Sequence, residues 1–359
     1  MHTPSAPALS DRTNLVAAEK TYMFAEAAAA AGVVERQIKS NAKLVESLAA
    51  KLAEAKPSVV FTCARGSSDH AATFAKHLFE TVLGVPTVSQ APSISSIYGA
   101  PLPHMHGQPF ILISQSGQSP DLLACAEAAR KAGALVIALV NDTKSPLAGL
   151  AEHVVPLHAG PEKSVAATKS YIASLAAFTH LTSLWSNDLP LQRALCELPT
   201  KLAAAWEADW TPAIETFSRA RSLYVLGRGP TLAVAQEAAL KCKETCGIHG
   251  EAFSIAEVAH GPMALVGPDY PVLIFPPFDK AAAGLATIVE KFTARGAPLA
   301  IAGQALAGCR ALPIEKGLHP VIAPIAMVQS FYRLVNALAV HRGFDPDNPP
   351  MLRKVTETR

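Results

Sequence analysis

Glu237, Lys241 and Glu244 fall on neighbouring turns of one helical stretch. Lys241 and Glu244 share a face of that helix. A carboxylate beside an ammonium can move a proton between two atoms of a substrate, provided its surroundings tune it. The same spacing also suits a solvated ion pair with no further role, and the sequence leaves both readings open. Downstream come Ile248-His249-Gly250-Glu251-Ala252-Phe253 and Glu257-Val258-Ala259-His260-Gly261-Pro262. His260 precedes Gly-Pro, so it is expected at a helix end or turn, where an imidazole can reach a ligand or serve structurally.

A second group suits anion binding. The run Ser114-Gln115-Ser116-Gly117-Gln118-Ser119-Pro120-Asp121 follows the apolar strand pattern Phe110–Ile113. Ser119 suits an N-cap and Pro120 the first helical turn. Three hydroxyls and the free N–H groups of a helix start can cradle a phosphate without a lysine. A Ser/Gly-rich turn with an ordinary cap reads the same way. Gly66-Ser67-Ser68-Asp69 closes an earlier strand pattern in like manner, so the two loops can face one pocket.

Other chemistries find little support. His104 and His106 form a short pair with no third ligand nearby. Cys242, Cys246 and His249 match neither a CxxC nor an HExxH spacing, so no metal and no cofactor is expected. No nucleophile elbow is present. Gly227-Arg228-Gly229 lacks the third glycine of a dinucleotide fingerprint.

These residues need elements to position them, and the chain supplies them twice. Val59–Cys63 ending in Ala64-Arg65-Gly66-Ser67 matches Leu223–Leu226 ending in Gly227-Arg228-Gly229-Pro230, with Gly66 and Gly229 offset by 163 residues. At nearly the same offset, Phe110–Ile113 matches Val272–Phe275, Leu135–Val140 matches Pro298–Gly303, and His153–Leu157 matches Ala311–Glu315. Each half ends in a long amphipathic segment, Val165–Trp185 and Val321–Arg342. Short strands alternating with helices predict an α/β fold of two parallel sheets, each flanked by helices in three layers. The expected boundaries are a helical segment over 1–56, a first half over 57–189, a linker over 190–218 broken by prolines such as Pro199, a second half over 219–344, and an extended tail over 345–359. The Ser-rich loop is absent from the second half, where Phe275-Pro276-Pro277-Phe278-Asp279 stands instead. One phosphate grip per chain is therefore expected, with the titratable residues in the other half.

Composition narrows the class. Half of the 359 residues are hydrophobic and 17% are charged, which excludes a disordered chain. A net charge of +2 gives nucleic-acid binding no support. The apolar runs are too short to span a membrane, and residues 1–13 lack the apolar stretch of a secretory signal. Six scattered cysteines suit reduced thiols in the cytoplasm.

Ala64-Arg65-Gly66-Ser67-Ser68-Asp69-His70-Ala71, Ser114-Gln115-Ser116-Gly117, Val165-Ala166-Ala167-Thr168-Lys169, the stretch from Leu226 through Glu244 to Pro262, and the tail Leu352-Arg353-Lys354 together resemble the isomerase half of the glutamine–fructose-6-phosphate aminotransferase family, which is built from two sugar isomerase (SIS) domains. The resemblance runs from about Thr21 to Arg359. It implies that Gly66, Ser67, Ser68, Ser114, Gln115, Ser116 and Ser119 hold a sugar 6-phosphate, with Arg65 beside them, and that Val165 and the backbone at Ala167 line the sugar. It assigns proton transfer to Glu244 with Lys241 as its partner. Ring opening falls to His260, reaching in from a neighbouring subunit of a homodimer, and Schiff-base formation to Lys354. The apolar segment Val321–Val340 is expected to offer surface for the dimer.

Several positions depart from the synthase pattern. Arg65 stands where a small residue or Cys is usual, Gln118 replaces an acidic residue, and Ala167 replaces a Ser. The chain opens Met1-His2-Thr3 without a nucleophilic Cys, and the ending Lys354-Val355-Thr356-Glu357-Thr358-Arg359 differs. These departures resemble the stand-alone two-SIS glucosamine-6-phosphate deaminases and related deglycases. The implied reaction is glucosamine 6-phosphate plus water to fructose 6-phosphate plus ammonia. Galactosamine 6-phosphate or a fructosyl-amine 6-phosphate are the alternative substrates. A sugar-phosphate sensor is the alternative of another class, disfavoured because Lys241, Glu244, His260 and Lys354 are all present and no helix-turn-helix precedes Lys56.

Overall fold

The structure, a computed structural model, describes residues 11–354. The readings on Met1-His2-Thr3 and on residues 355–359 lie outside the described residues. The chain divides into two compact units. One gathers residues 30–161 and 169–200; the other gathers 11–29, 162–168 and 201–354. The grouping is not strictly sequential, because 162–168 belongs with the second half.

The first-half unit holds a parallel sheet of β1 (Val60–Cys63), β2 (Thr87–Ser89), β3 (Pro109–Ser114), β4 (Leu135–Val140) and β5 (His153–Pro156), in the order β2-β1-β3-β4-β5. β3 and β4 are apolar almost throughout because helices cover both faces of a parallel sheet. Phe110, Leu112, Val136 and Ala138 share one buried cluster with Leu122, Cys125 and Ala126 of the helix Pro120–Lys131. The strand order reverses between β1 and β3, and Cys63 is in register with Leu112. The loops that leave these strands therefore emerge side by side at the switch point, where open α/β sheets bind ligands.

The other unit repeats this plan with β6 (Ser222–Gly227), β7 (His249–Ser254), β8 (Val272–Ile274), β9 (Leu299–Ala302) and β10 (Cys309–Leu312), in the order β10-β9-β8-β6-β7. The expected strands are present within a few residues. The edge strands β2 and β7 are additional. β2 is three residues long with only Thr87 buried, and β7 begins His-Gly-Glu, so neither carries an apolar run.

Three expectations need correction. The helix Lys169–Trp185 begins four residues later than the apolar pattern from Val165, and it is buried on all sides through Ser183, so it is a core helix and not an amphipathic one. The helix Ala323–His341 is likewise covered by its own unit, with Ile325, Met327, Phe331, Tyr332 and Val335 inaccessible. It offers no broad apolar surface for a dimer. The segment around Pro199 does not break, because a helix runs from Leu189 to Glu207 through that proline.

Candidate active site

In the first-half unit, Gly66 sits at the start of the helix Ser67–Leu78 with φ 55° and ψ −133°, a combination open to glycine and strained for other residues. Ser67 and Ser68 follow in the first turn. The loop after β3 is folded by its own hydroxyls. The buried Ser114 Oγ accepts from the Gly117 N–H at 3.0 Å, and Ser116 Oγ accepts from the Gln118 N–H at 3.3 Å. Gly117 also packs so closely on Ser145 that a Cβ would overlap the Ser145 hydroxyl. Ser119 takes the N-cap position of Pro120–Lys131, but its side chain makes no capping bond. Gln115, Ser116 and Ser119 are half-buried. Two helix starts thus bring exposed and half-exposed Ser and Gly residues to one sheet edge, an arrangement suited to an anion.

Arg65 lies in the same place. Its Nε and Nη2 each stand 2.8 Å from Asp121 Oδ2, and Asp121 Oδ1 accepts from the Leu122 N–H at 2.8 Å. The Asp121 side chain is fully buried while that of Arg65 is 52% exposed. Asp121 closes the Ser-rich run in the sequence, yet nothing there marks it as the partner of Arg65. In the first turn of Ser67–Leu78, burial raises the Asp69 carboxyl above its ordinary range, against the opposing pull of His70 and Arg65.

In the other unit, the helix Pro230–Cys246 carries Glu237, Lys241 and Glu244. Lys241 Nζ donates to Glu244 Oε2 at 2.6 Å and lies 3.3 Å from Glu237 Oε1. The Tyr332 hydroxyl donates to Glu237 Oε1 at 3.0 Å. The side chains of Lys241 and Glu237 are inaccessible, so this is not a solvated pair; Glu244 keeps a fifth of its side chain exposed. Burial alone would push the Lys241 ammonium down, but the two carboxylates outweigh it and hold its pKa above the usual lysine value. Lys241 therefore stays charged at neutral pH and cannot accept a proton. Of the two carboxylates in this cluster, Glu244 is the one with exposed surface.

His260 ends the 3-10 turn Glu257–His260 and is exposed; Gly261 next to it has φ 134°. The segment 162–168 alternates in burial. Glu162, Ser164, Ala166 and Thr168 point inward, while Val165 and Ala167 are half-exposed. Buried carboxylates shape it. Glu26 accepts from the N–H groups of Lys163 and Ser164, and Glu162 Oε1 accepts from the Thr168 N–H at 3.0 Å. The C-terminal tail joins this segment: Val165 N–H donates to the Asp347 carbonyl at 3.1 Å. Lys354 Nζ donates to the Ser164 carbonyl at 2.7 Å and lies 3.4 Å from Glu162 Oε2. Lys354 and the Val165–Ala167 stretch are thus brought together within one unit. Glu26 and Tyr332 act across long separations, as does Glu162 toward Lys354, with no local spacing in the sequence to mark them.

No group of three or more His, Cys, Asp or Glu able to hold a metal forms among the described residues, and none of the described helices is long and apolar enough to cross a membrane.

Comparison with known proteins agrees with this architecture. The SIS domain family model matches residues 51–184 and 216–307. The glutamine–fructose-6-phosphate aminotransferase [isomerizing] of Bradyrhizobium diazoefficiens is 34% identical over 311 residues, which cover 80% of this chain and 50% of that protein. The chain spans about half the length of such relatives. Among solved structures, a candidate phosphosugar isomerase from Silicibacter pomeroyi DSS-3 superposes with a TM-score of 0.87 at 42% identity, covering 91% of this chain and 100% of that one. The C-terminal domain of glucosamine-fructose-6-phosphate aminotransferase from Francisella tularensis gives a TM-score of 0.83 at 25% identity, covering 92% and 98%. Matched in both halves by the family model, and folded as two parallel sheets of one repeated topology, the chain belongs to the SIS domain family.

Proposed function

We propose that the protein is a phosphosugar aldose–ketose isomerase that releases ammonia from an amino-sugar 6-phosphate, with glucosamine 6-phosphate as substrate and fructose 6-phosphate as product. The observation that carries this reading is the buried Glu237–Lys241–Glu244 cluster, in which only Glu244 is accessible and its ammonium partner stays charged. A binding module has no need of a fixed carboxylate presented in this way.

In this reading, Gly66, Ser67, Ser68, Ser114, Gln115, Ser116 and Ser119 hold the phosphate, with Arg65 adding charge, while Val165 and Ala167 line the sugar. His260 opens the ring by giving a proton to the ring oxygen as its bond to C1 breaks and the anomeric hydroxyl gives up its own proton, leaving the aldehyde. Glu244 then takes the proton from C2 and returns it at C1, held in place by Lys241. As the amine N–H proton passes to O1, the aldehyde becomes a primary alcohol and the C2 amine becomes an imine. Water adds to that imine and ammonia leaves; alternatively Lys354 displaces the ammonia first and is itself released by water. The enzyme works as a cytoplasmic homodimer in which His260 serves the neighbouring subunit. Its exposed position on a 3-10 turn supports that role.

The test is an ammonia-release assay across glucosamine, galactosamine and fructosyl-amine 6-phosphates. Release from glucosamine 6-phosphate above the others supports the reading. Release from a fructosyl-amine 6-phosphate alone makes the protein a deglycase. No turnover with any of them, combined with tight binding of one, favours the sensor.

A further inference from the structure

Arg65 and Arg228 occupy the same position in the two halves, each directly before a glycine of matching conformation, Gly66 at φ 55°, ψ −133° and Gly229 at φ 62°, ψ −139°. Both arginines span the same gap, from the end of the first strand of their sheet to the start of the helix after the third strand. Arg228 does so with Nη1 donating to the Ala283 backbone carbonyl at 3.1 Å, just before the helix Leu285–Ala294. Arg65 does so with two N–H groups on the buried Asp121 carboxylate. The clamp is thus part of the scaffold of both halves, and a backbone carbonyl suffices to anchor it. The first half differs by burying an acid there, which costs desolvation that the second half avoids.

The difference coincides with the Ser-rich loop, which only the first half has. From this we infer that Asp121 is a positioning residue that turns a scaffold arginine into a phosphate-binding one. The inference rests on the reading of the first-half loops as the phosphate grip. A guanidinium has five N–H donors. Asp121 takes the Nε and Nη2 edge and fixes the plane, while half of the Arg65 side chain stays exposed beside Gly66 and Ser67. The outer edge of Arg65 then meets two phosphate oxygens in a geometry that lysine cannot reproduce. Arg228, held by one carbonyl, keeps only the bracing role.

Binding of inorganic phosphate, measured by calorimetry on the full chain, tests this without turnover. Arg65→Met is expected to weaken phosphate at least tenfold, and Arg65→Lys to recover little of it. Asp121→Asn should weaken phosphate severalfold by releasing the guanidinium, while Arg228→Met leaves phosphate affinity at the wild-type value. Circular dichroism on each variant separates loss of binding from loss of fold. Phosphate binding by Arg65→Lys or Asp121→Asn within twofold of wild type would overturn the inference and leave Arg65 a brace like Arg228. If the wild type binds no phosphate, or binds it equally after Ser116→Ala and Ser119→Ala together, the grip itself fails, and this inference with it.

Discussion

Lys241 shows how a residue's surroundings decide its chemistry. Its spacing from Glu237 and Glu244 is visible in the sequence, but an i,i+3 pair is the same string of letters whether it faces water or the core. Here it faces the core, and the ammonium neutralises Glu237, which has no exposed surface. Lys241→Met should therefore destabilise the protein by about 3–5 kcal/mol, as expected when one partner of a buried charge pair is removed. Urea denaturation measures this, and a loss under about 1 kcal/mol would match a surface pair instead. What stayed hidden at this scale are the partners reached through the fold. Tyr332 donates to Glu237 from another helix, Glu162 holds both the Thr168 N–H and the Lys354 ammonium, and Asp121 grips Arg65. Apart from Glu162 with Thr168, none of these pairs has a spacing that a reading along the chain can register.

At the scale of elements, the central strands were legible because a parallel sheet covered on both faces must be apolar throughout. The edge strands β2 and β7 were not, since one is three residues long and the other half-exposed and polar. The segment Val165–Trp185 reads as two-faced because it mixes Ser and Thr with apolar residues; in place, Ser174 and Thr179 bond back to the carbonyls of Ser170 and Leu175 and are buried. The turns that follow β1 and β6 give an internal control. Gly66 and Gly229 share one backbone conformation that strains any residue but glycine, and a Cβ at Gly66 would meet no neighbouring atom within 4 Å. Gly66→Ala and Gly229→Ala should each cost about 1–3 kcal/mol of stability from backbone strain alone. Only Gly66→Ala should also weaken phosphate. Thermal unfolding with and without phosphate gives both quantities, and a loss of phosphate affinity in Gly229→Ala instead would place the anion in the wrong half.

The whole molecule adds properties that no single element has. His180 lies in the core of its unit, and burial pushes its pKa down to about 4. The unfolded chain takes up this proton near pH 6.5 and the folded chain only near 4, so stability falls as pH drops through that window. The full difference is about 3 kcal/mol. His180→Gln should flatten this limb of a stability–pH curve; an unchanged slope between pH 4 and 6.5 would show that other groups set it. The proposed dimer makes a sharper demand. Mixing His260→Ala with Glu244→Gln, each inactive alone, should restore about a quarter of wild-type activity if each site combines residues of both subunits. No recovery after co-refolding would place His260 and Glu244 of one chain in the same site. The proposed reaction needs both the phosphate grip and the proton transfer, and Glu244 is the residue proposed for the second. The direct test is Glu244→Gln, with turnover and substrate Kd measured on the same preparation. If Glu244 moves the proton, the rate falls by about 10²–10⁴-fold with Kd nearly unchanged; a rate within a few-fold of wild type would rule that role out.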